Sequence, residues 1–228
     1  MKKLFYYFLI ATLAFNFVGC SDKDKDLDDV IDEWKDKYGD EDLVQIDGCT
    51  YLLNKENKKA SLQMGGIMPY GTTTILYVKG DFVIPKTITY NAKTYTVTKV
   101  KQAAFSNNKE LTSLTFSDNI EDIGSGNIPA TWIVNEQDKN YRWITGKGLK
   151  TINVSQGFME NITLIFHATT PPEISSEYNF GNYKEDCQTL LRSTKPKLYV
   201  SKESIEAYKA HDVWKYCTIG SIEEDLED

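Results

Sequence analysis

A strand motif recurs along this chain: Leu111-x-x-Leu114-x-Phe116 is followed by Leu149-x-x-Ile152-x-Val154, and shorter versions stand at Thr163-Leu164-Ile165-Phe166 and Lys197-Leu198-Tyr199-Val200. Between them lie polar connectors such as Asn107-Asn108 and Asp118-Asn119, with apolar pairs Val97/Val100 and Ile120/Ile123. One strand per unit, large residues pointing inward and a polar turn between units describe a coil that stacks on itself, because no single unit can bury its own apolar face. The stretch from Tyr95 to Phe116 is then one coil rather than a hairpin. Ala103-Ala104-Phe105 is its buried connector, Asn107-Asn108 turn the chain, and its two strands are expected as successive parallel rungs. The offset from Leu111 to Leu149 exceeds a repeat of about 20 to 29 residues, so residues 125–147 are read as an insertion.

Upstream of the repeats the pattern is antiparallel. Cys49, Tyr51 and Leu53 alternate on one face, the run breaks at Asn54 to Lys58, and Ala60 and Leu62 resume it, as in a hairpin. Asn91-Ala92 marks a turn between Ile88–Tyr90 and Tyr95–Val97, and Pro85 confines its strand to an edge or an end.

Charge separates the ends from the body. Residues 21 to 47 carry four lysines against twelve acids, and the last six residues add five more acids. The remaining body is mildly basic and mixed, without the stripe that neutralising nucleic-acid phosphates requires. The start, "MKKLFYYFLIATLAFNFVGC", has a Lys-Lys head, an apolar run from Leu4 to Leu13 and small residues before Cys20. It is expected to act as an export signal and to be too short for a membrane span. Phe17-Val18-Gly19-Cys20 resembles the bacterial lipobox, with Phe17 where Leu is usual, which implies acylation at Cys20.

"SDKDKDLDDVIDEWKDKYGDEDL" follows, and resembles the acidic signal that carries lipoproteins of Bacteroidetes to the outer face of the outer membrane. Asp22, Asp24, Asp26, Asp28 and Glu33 also fit calcium-loop spacing, but Leu27 stands where the loop needs Gly. A solvated tether over residues 21–43 is therefore preferred, with calcium behind it as the alternative. Leu27, Val30, Ile31, Trp34 and Tyr38 recur at helical spacing, as for a short amphipathic helix.

"GDFVIPKTITYNAKTYTVTKVKQAAFSNNKELTSLTFSDNIEDIG" resembles the BspA-like leucine-rich repeat family of bacterial surface proteins, in which a strand, an Ala-Phe connector and Leu-x-x-Leu-x-Phe/Ile make up the unit. "FHATTPPEI" and "LYVSKESIEAYKAHDVWKYCTIGSIEE" resemble the family's closing segments. The resemblance spans most of residues 44–224. It implies a β-rich α+β fold: a short right-handed leucine-rich-repeat solenoid with an N-terminal antiparallel β module and a C-terminal helical cap, followed by an acidic tail at 225–228. It also implies surface binding or adhesion, with no catalytic residues to carry over. In the cap, Ser201 is the expected N-cap of a helix through Tyr208, with Ile205, Tyr208 and Trp214 on its apolar face. His211 is expected to face solvent or the helix dipole.

Chemistry finds little purchase. Two histidines and no Cys-x-x-Cys or His-Glu-x-x-His spacing leave zinc without a ligand set, so neither metal nor cofactor is expected. There is no Gly-x-Ser-x-Gly elbow, and "GKGLKT" at 146–151 is better explained as a turn than as a phosphate loop. Cys187 and Cys217 are the candidates for a disulfide stapling the cap, while Cys49 is expected as a small buried apolar group.

The most suggestive recognition segment is the insertion, where Trp132, Tyr141 and Trp143 crowd together with Arg142. These four are the candidate ligand-binding residues. The competing reading has Trp132 and Trp143 flanking a hairpin and packing back onto the scaffold. Two functions follow: a non-catalytic, lipid-anchored surface protein that binds an extracellular protein or cell surface, or a glycan-binding accessory lipoprotein that uses the aromatic insertion as a stacking platform.

Overall fold

In the computed structural model, residues 42–67, 75–127, 141–153, 162–174 and 183–225 are described. Cys20, the tether helix, Trp132 and Val154 lie outside them. The described chain opens with β1 (Asp42–Ile46), β2 (Cys49–Asn54) and β3 (Lys59–Met64), an antiparallel meander in which β2 and β3 form the expected hairpin, with Leu53 opposite Ala60 and Tyr51 opposite Leu62. Asp47 and Gly48 turn the first hairpin at φ 47° and 78°. A small pair, β4 (Gly66–Ile67) and β5 (Leu76–Tyr77), follows.

From β6 (Gly80–Val83) the chain commutes between two sheets. β7 (Thr87–Tyr90) and β8 (Lys93–Val100) form a hairpin whose turn residues Asn91 and Ala92 both have positive φ, as a two-residue hairpin turn requires. Thereafter β9 (Leu111–Thr115), β11 (Tyr141–Thr145) and β13 (Ile162–Phe166) alternate with β10 (Asp122–Ile123), β12 (Thr151–Ile152) and β14 (Glu173–Ile174). The even-numbered set extends the first sheet as β3-β8-β10-β12-β14, and the odd-numbered set forms β6-β9-β11-β13. Every pairing along these two ladders is parallel. Helix α1 (Tyr183–Thr194) leads to β15 (Lys197–Val200), which extends the second ladder. A 3₁₀ turn, α2 (Ile205–Ala210) and a second 3₁₀ turn lead to β16 (Thr218–Ser221), the last rung, and to α3 (Ile222–Asp225).

This topology corrects the sequence-based repeat. Leu114 and Ile152 are not equivalent positions. Leu114 pairs with Phe82 and Trp143, and the line continues to Leu164 and Leu198, whereas Ile152 belongs with Val100, Ile123 and Ile174 on the other ladder. β8 and β9 are thus neither a hairpin nor successive rungs; they lie in different ladders, joined by the connector. The supposed insertion likewise contains a regular rung, β11. Its period was hidden because an aromatic stands where the motif has Leu.

The core lies between the ladders. Phe105 is fully buried, as expected of the connector, and its ring fills the space over Gly65, where a Cβ would come within 2.3 Å of it. Edge-to-face aromatics run from Phe116 through Trp143 and Phe166 to Trp214, at centroid distances of 5.2, 6.5 and 5.1 Å. Two buried asparagines hold the connectors. Asn127 donates to Lys101 O (2.8 Å) and Gly124 O (2.7 Å) and accepts from the Phe105 N–H (3.3 Å), while Asn108 donates to Gly65 O and Val78 O. As expected, the Gly146–Thr151 stretch holds a turn, at Lys147-Gly148, and Gly146 just before it lets the backbone of Asp118 approach, where a Cβ would stand 2.5 Å from Asp118 Cα.

The closing segment differs in detail. Ser201 does not cap the following turn with its hydroxyl, which pairs with Ser204 Oγ at 2.7 Å. Tyr208 and Trp214 are buried and tie the segment to the strands by donating to Ala168 O and Pro172 O, each at 2.9 Å. His211 neither faces solvent freely nor serves as a cation: its Nδ1 accepts from the Val213 N–H at 3.2 Å. Burial is the main reason its pKa lies below the usual 6.5. Cys187 and Cys217 are free, buried thiols rather than a bridge, and burial pushes each up to about 12. Cys49 is buried and free, as a small apolar group would be.

Candidate binding face

Successive strand residues point to opposite sides, so the inward residues of the second ladder fix which ones face out. With Phe82, Leu114, Trp143, Leu164 and Leu198 in the core, register defines two outward rows. The first runs Asp81, Ser113, Arg142, Thr163, Lys197, Thr218; the second runs Val83, Thr115, Ile144, Ile165, Tyr199, Gly220. One row is polar with both signs of charge, and the other is mostly apolar. Adjacent strands lie about 4.8 Å apart, so the face offers side chains at fixed intervals on a rigid support.

The polar row is partly organised already. Asp81 accepts hydrogen bonds from Ser113 Oγ (2.7 Å) and Thr112 Oγ1 (2.8 Å), which hold its carboxyl below the usual range. Arg142 donates through both terminal nitrogens to Asp225, with Nη1 to Oδ1 at 3.1 Å. At the near end Val83 is 62% exposed on an edge strand, whereas Ile165 and Tyr199 at the far end are buried.

The four sequence candidates therefore separate. Trp143 and Tyr141 face inward, and Trp143 is 2% exposed, wedged edge-on between Phe116 and Phe166. Neither can stack on a ligand, because the strand's alternation that puts Arg142 outside puts both neighbours inside. Arg142 remains on the face, and Trp132 lies outside the described residues. Sequence reasoning missed Ile144, Thr115 and Ser113; their signal was the alternation of β11 and β9, legible only once those strands are known to be aligned. Among the described residues, no group of three or more His, Cys, Asp or Glu could hold a metal ion.

The described residues thus form a strand-rich fold with two parallel ladders, the second of which carries a mixed polar and apolar outer face. No family model matches the chain, and no curated protein matches it. Among solved structures it is similar to a leucine-rich repeat protein from Bacteroides capillosus, at 16% identity and TM-score 0.42, over 62% of this chain and 93% of that one. It is also similar to a leucine rich cell surface protein from Faecalibacterium prausnitzii, at 22% identity and TM-score 0.38, over 56% of this chain. The match spans 33% of that second protein's length.

Proposed function

We propose that this chain is a short leucine-rich-repeat solenoid of the BspA-like type, with an N-terminal antiparallel module and a C-terminal helical cap. It is lipid-anchored at Cys20 on the outer face of the outer membrane, and it binds a host or bacterial surface macromolecule without catalysis. The observation that carries the binding part is the outward face of the second ladder, whose aligned rows place Ser113, Arg142, Thr115 and Ile144 on a rigid sheet. A support that is ordered before binding loses little entropy when a partner docks. A glycan platform of Tyr141 and Trp143 is not retained, since both rings are in the core.

The test is a panel of matrix proteins and purified polysaccharides presented to the full chain. Saturable, salt-tolerant binding that Ile144→Lys abolishes, with an unchanged melting curve, is the expected result. No saturable binding to any member, or binding indifferent to Ile144→Lys, overturns the assignment of the face. Anchoring is checked separately: Cys20→Ala should release the protein from membranes, and retention would refute the lipid anchor.

A further inference from the structure

Part of the outward face is covered, and the chain covers it itself. Ile165 and Tyr199 belong to the outward apolar row by register and stand apart from the core cluster, yet they are only 4% and 9% exposed. Helix α3 packs against β15 and β16. Its Glu224 turns back to accept from the Ser221 N–H at 3.1 Å, and a Cβ at Gly220 would stand 2.7 Å from Glu224 Oε2 and 3.0 Å from the Tyr199 ring. Asp225 then reaches past β15 and β13 to Arg142 on β11. Its side chain is 6% exposed and its two oxygens meet the two terminal nitrogens of the guanidinium. Beyond Arg142 the apolar row continues through the half-buried Thr115 and Ile144 to the exposed Val83.

An arginine fork engaged by both carboxylate oxygens is a recognition geometry, selective in angle as well as in charge. Here the carboxylate belongs to a short acidic turn, Ile222-Glu223-Glu224-Asp225, laid across a strand face. We propose that Arg142 is the carboxylate-reading anchor of a docking face for an acidic protein segment, and that the chain's own C-terminal turn occupies this anchor in cis. The inference rests on the binding reading above and adds to it the chemistry of the partner and a built-in competitor. A tethered segment competes at an effective concentration on the order of millimolar. A partner therefore sees an affinity reduced by the fraction of molecules whose anchor is free.

The test uses a fluorescent synthetic peptide with the sequence of Ile222 to Asp228 and follows its anisotropy. It is titrated with the full chain, with the chain ended at Ser221, and with that shortened chain carrying Arg142→Gln or Arg142→Lys. The shortened chain should bind the peptide saturably. The full chain and the Arg142→Gln form should bind at least about tenfold more weakly, with Arg142→Lys between them because it keeps charge but loses the fork. A scrambled peptide of the same composition should bind weakly to all. Should the shortened chain fail to fold by circular dichroism, Asp225→Asn in the full chain replaces it and should raise peptide binding in the same direction.

Equal binding by the full and freed chains, binding unaffected by Arg142→Gln, or no binding by a folded, freed chain would each overturn the proposal. Dimerisation of the freed chain through this face would do so too, since the face would then serve self-association. None of these outcomes bears on the broader reading, which the matrix-protein and glycan panel tests by itself.

Discussion

The two ladders are built from the same chain in alternation, yet their outer surfaces differ. The central rungs of the first ladder are two residues long, each with one buried isoleucine (Ile123, Ile152) and one outward polar residue (Asp122, Thr151). Those outward groups satisfy one another: Thr151 Oγ1 donates to Asp122 at 2.9 Å, and Lys99 and Lys150 pair with Asp122 and Glu121. The second ladder has rungs of four or five residues, so each carries two outward positions rather than one, and the extra row is largely apolar. Both polar rows are thus paired within the chain, Arg142 with Asp225 included, and the second ladder differs in carrying an apolar row beside its polar one. Rung length is what gives the second ladder its additional, largely apolar outward row.

The sharpest way to break this contrast is within one strand. Trp143→Ala should cost about 3–5 kcal/mol of stability, as removal of a large buried aromatic does, while Ile144→Ala, one residue away on the outer side, should change a urea midpoint little. Comparable losses at both would mean that the inside and outside of β11 are wrongly assigned. Next in size is the connector that separates the ladders. Asn127→Ala leaves the Phe105 N–H and two carbonyls without their partner and should cost about 1–3 kcal/mol. A chemical melt indistinguishable from the parent would show that water replaces the amide.

Smaller still is the effect at the first ladder's polar row. Glu121→Gln removes an exposed pair with Lys150 and should cost under about 1 kcal/mol, less at high salt. A larger loss would mean that the first ladder's outside is structural rather than merely neutralised.

His211 gives a pH-dependent check on the closing segment. Burial lowers its folded pKa, so the folded state binds fewer protons than the unfolded one just below 6.5. Its contribution is present above that value and is lost as pH falls through the folded pKa. The pH dependence of unfolding in this window should flatten in His211→Gln. Unaltered dependence would place the titration elsewhere.

Much of this was legible beforehand, in uneven ways. The β2–β3 hairpin and the Asn91-Ala92 turn were readable because alternation and turn chemistry are local. So was the burial of Phe105 and Trp214, since large aromatics beside a repeat must be covered. The equivalence of Leu114 with Trp143 was not readable, because Tyr-Arg-Trp-Ile-Thr fills the rung without leucine and the connectors differ in length. For the same reason Tyr141 and Trp143 stand in the sequence as candidate binding residues beside the reading in which Trp143 packs back onto the scaffold; Trp143 is packed in the core, and period-two alternation alone puts both on the side opposite Arg142. The Cys187–Cys217 pairing was a guess from counting, and the thiols stand free.

What the sequence determined by itself was the currency of the fold: short strands, polar turns, and an apolar residue at most inward positions. Local propensity and burial demand carry that information residue by residue. Tertiary structure alone decided which strand lies beside which, and hence which residues form a row. It also decided that an aspartate at position 225 meets an arginine at 142. Such contacts depend on register across distant segments, and a one-residue slip would turn every one of those side chains to the other face.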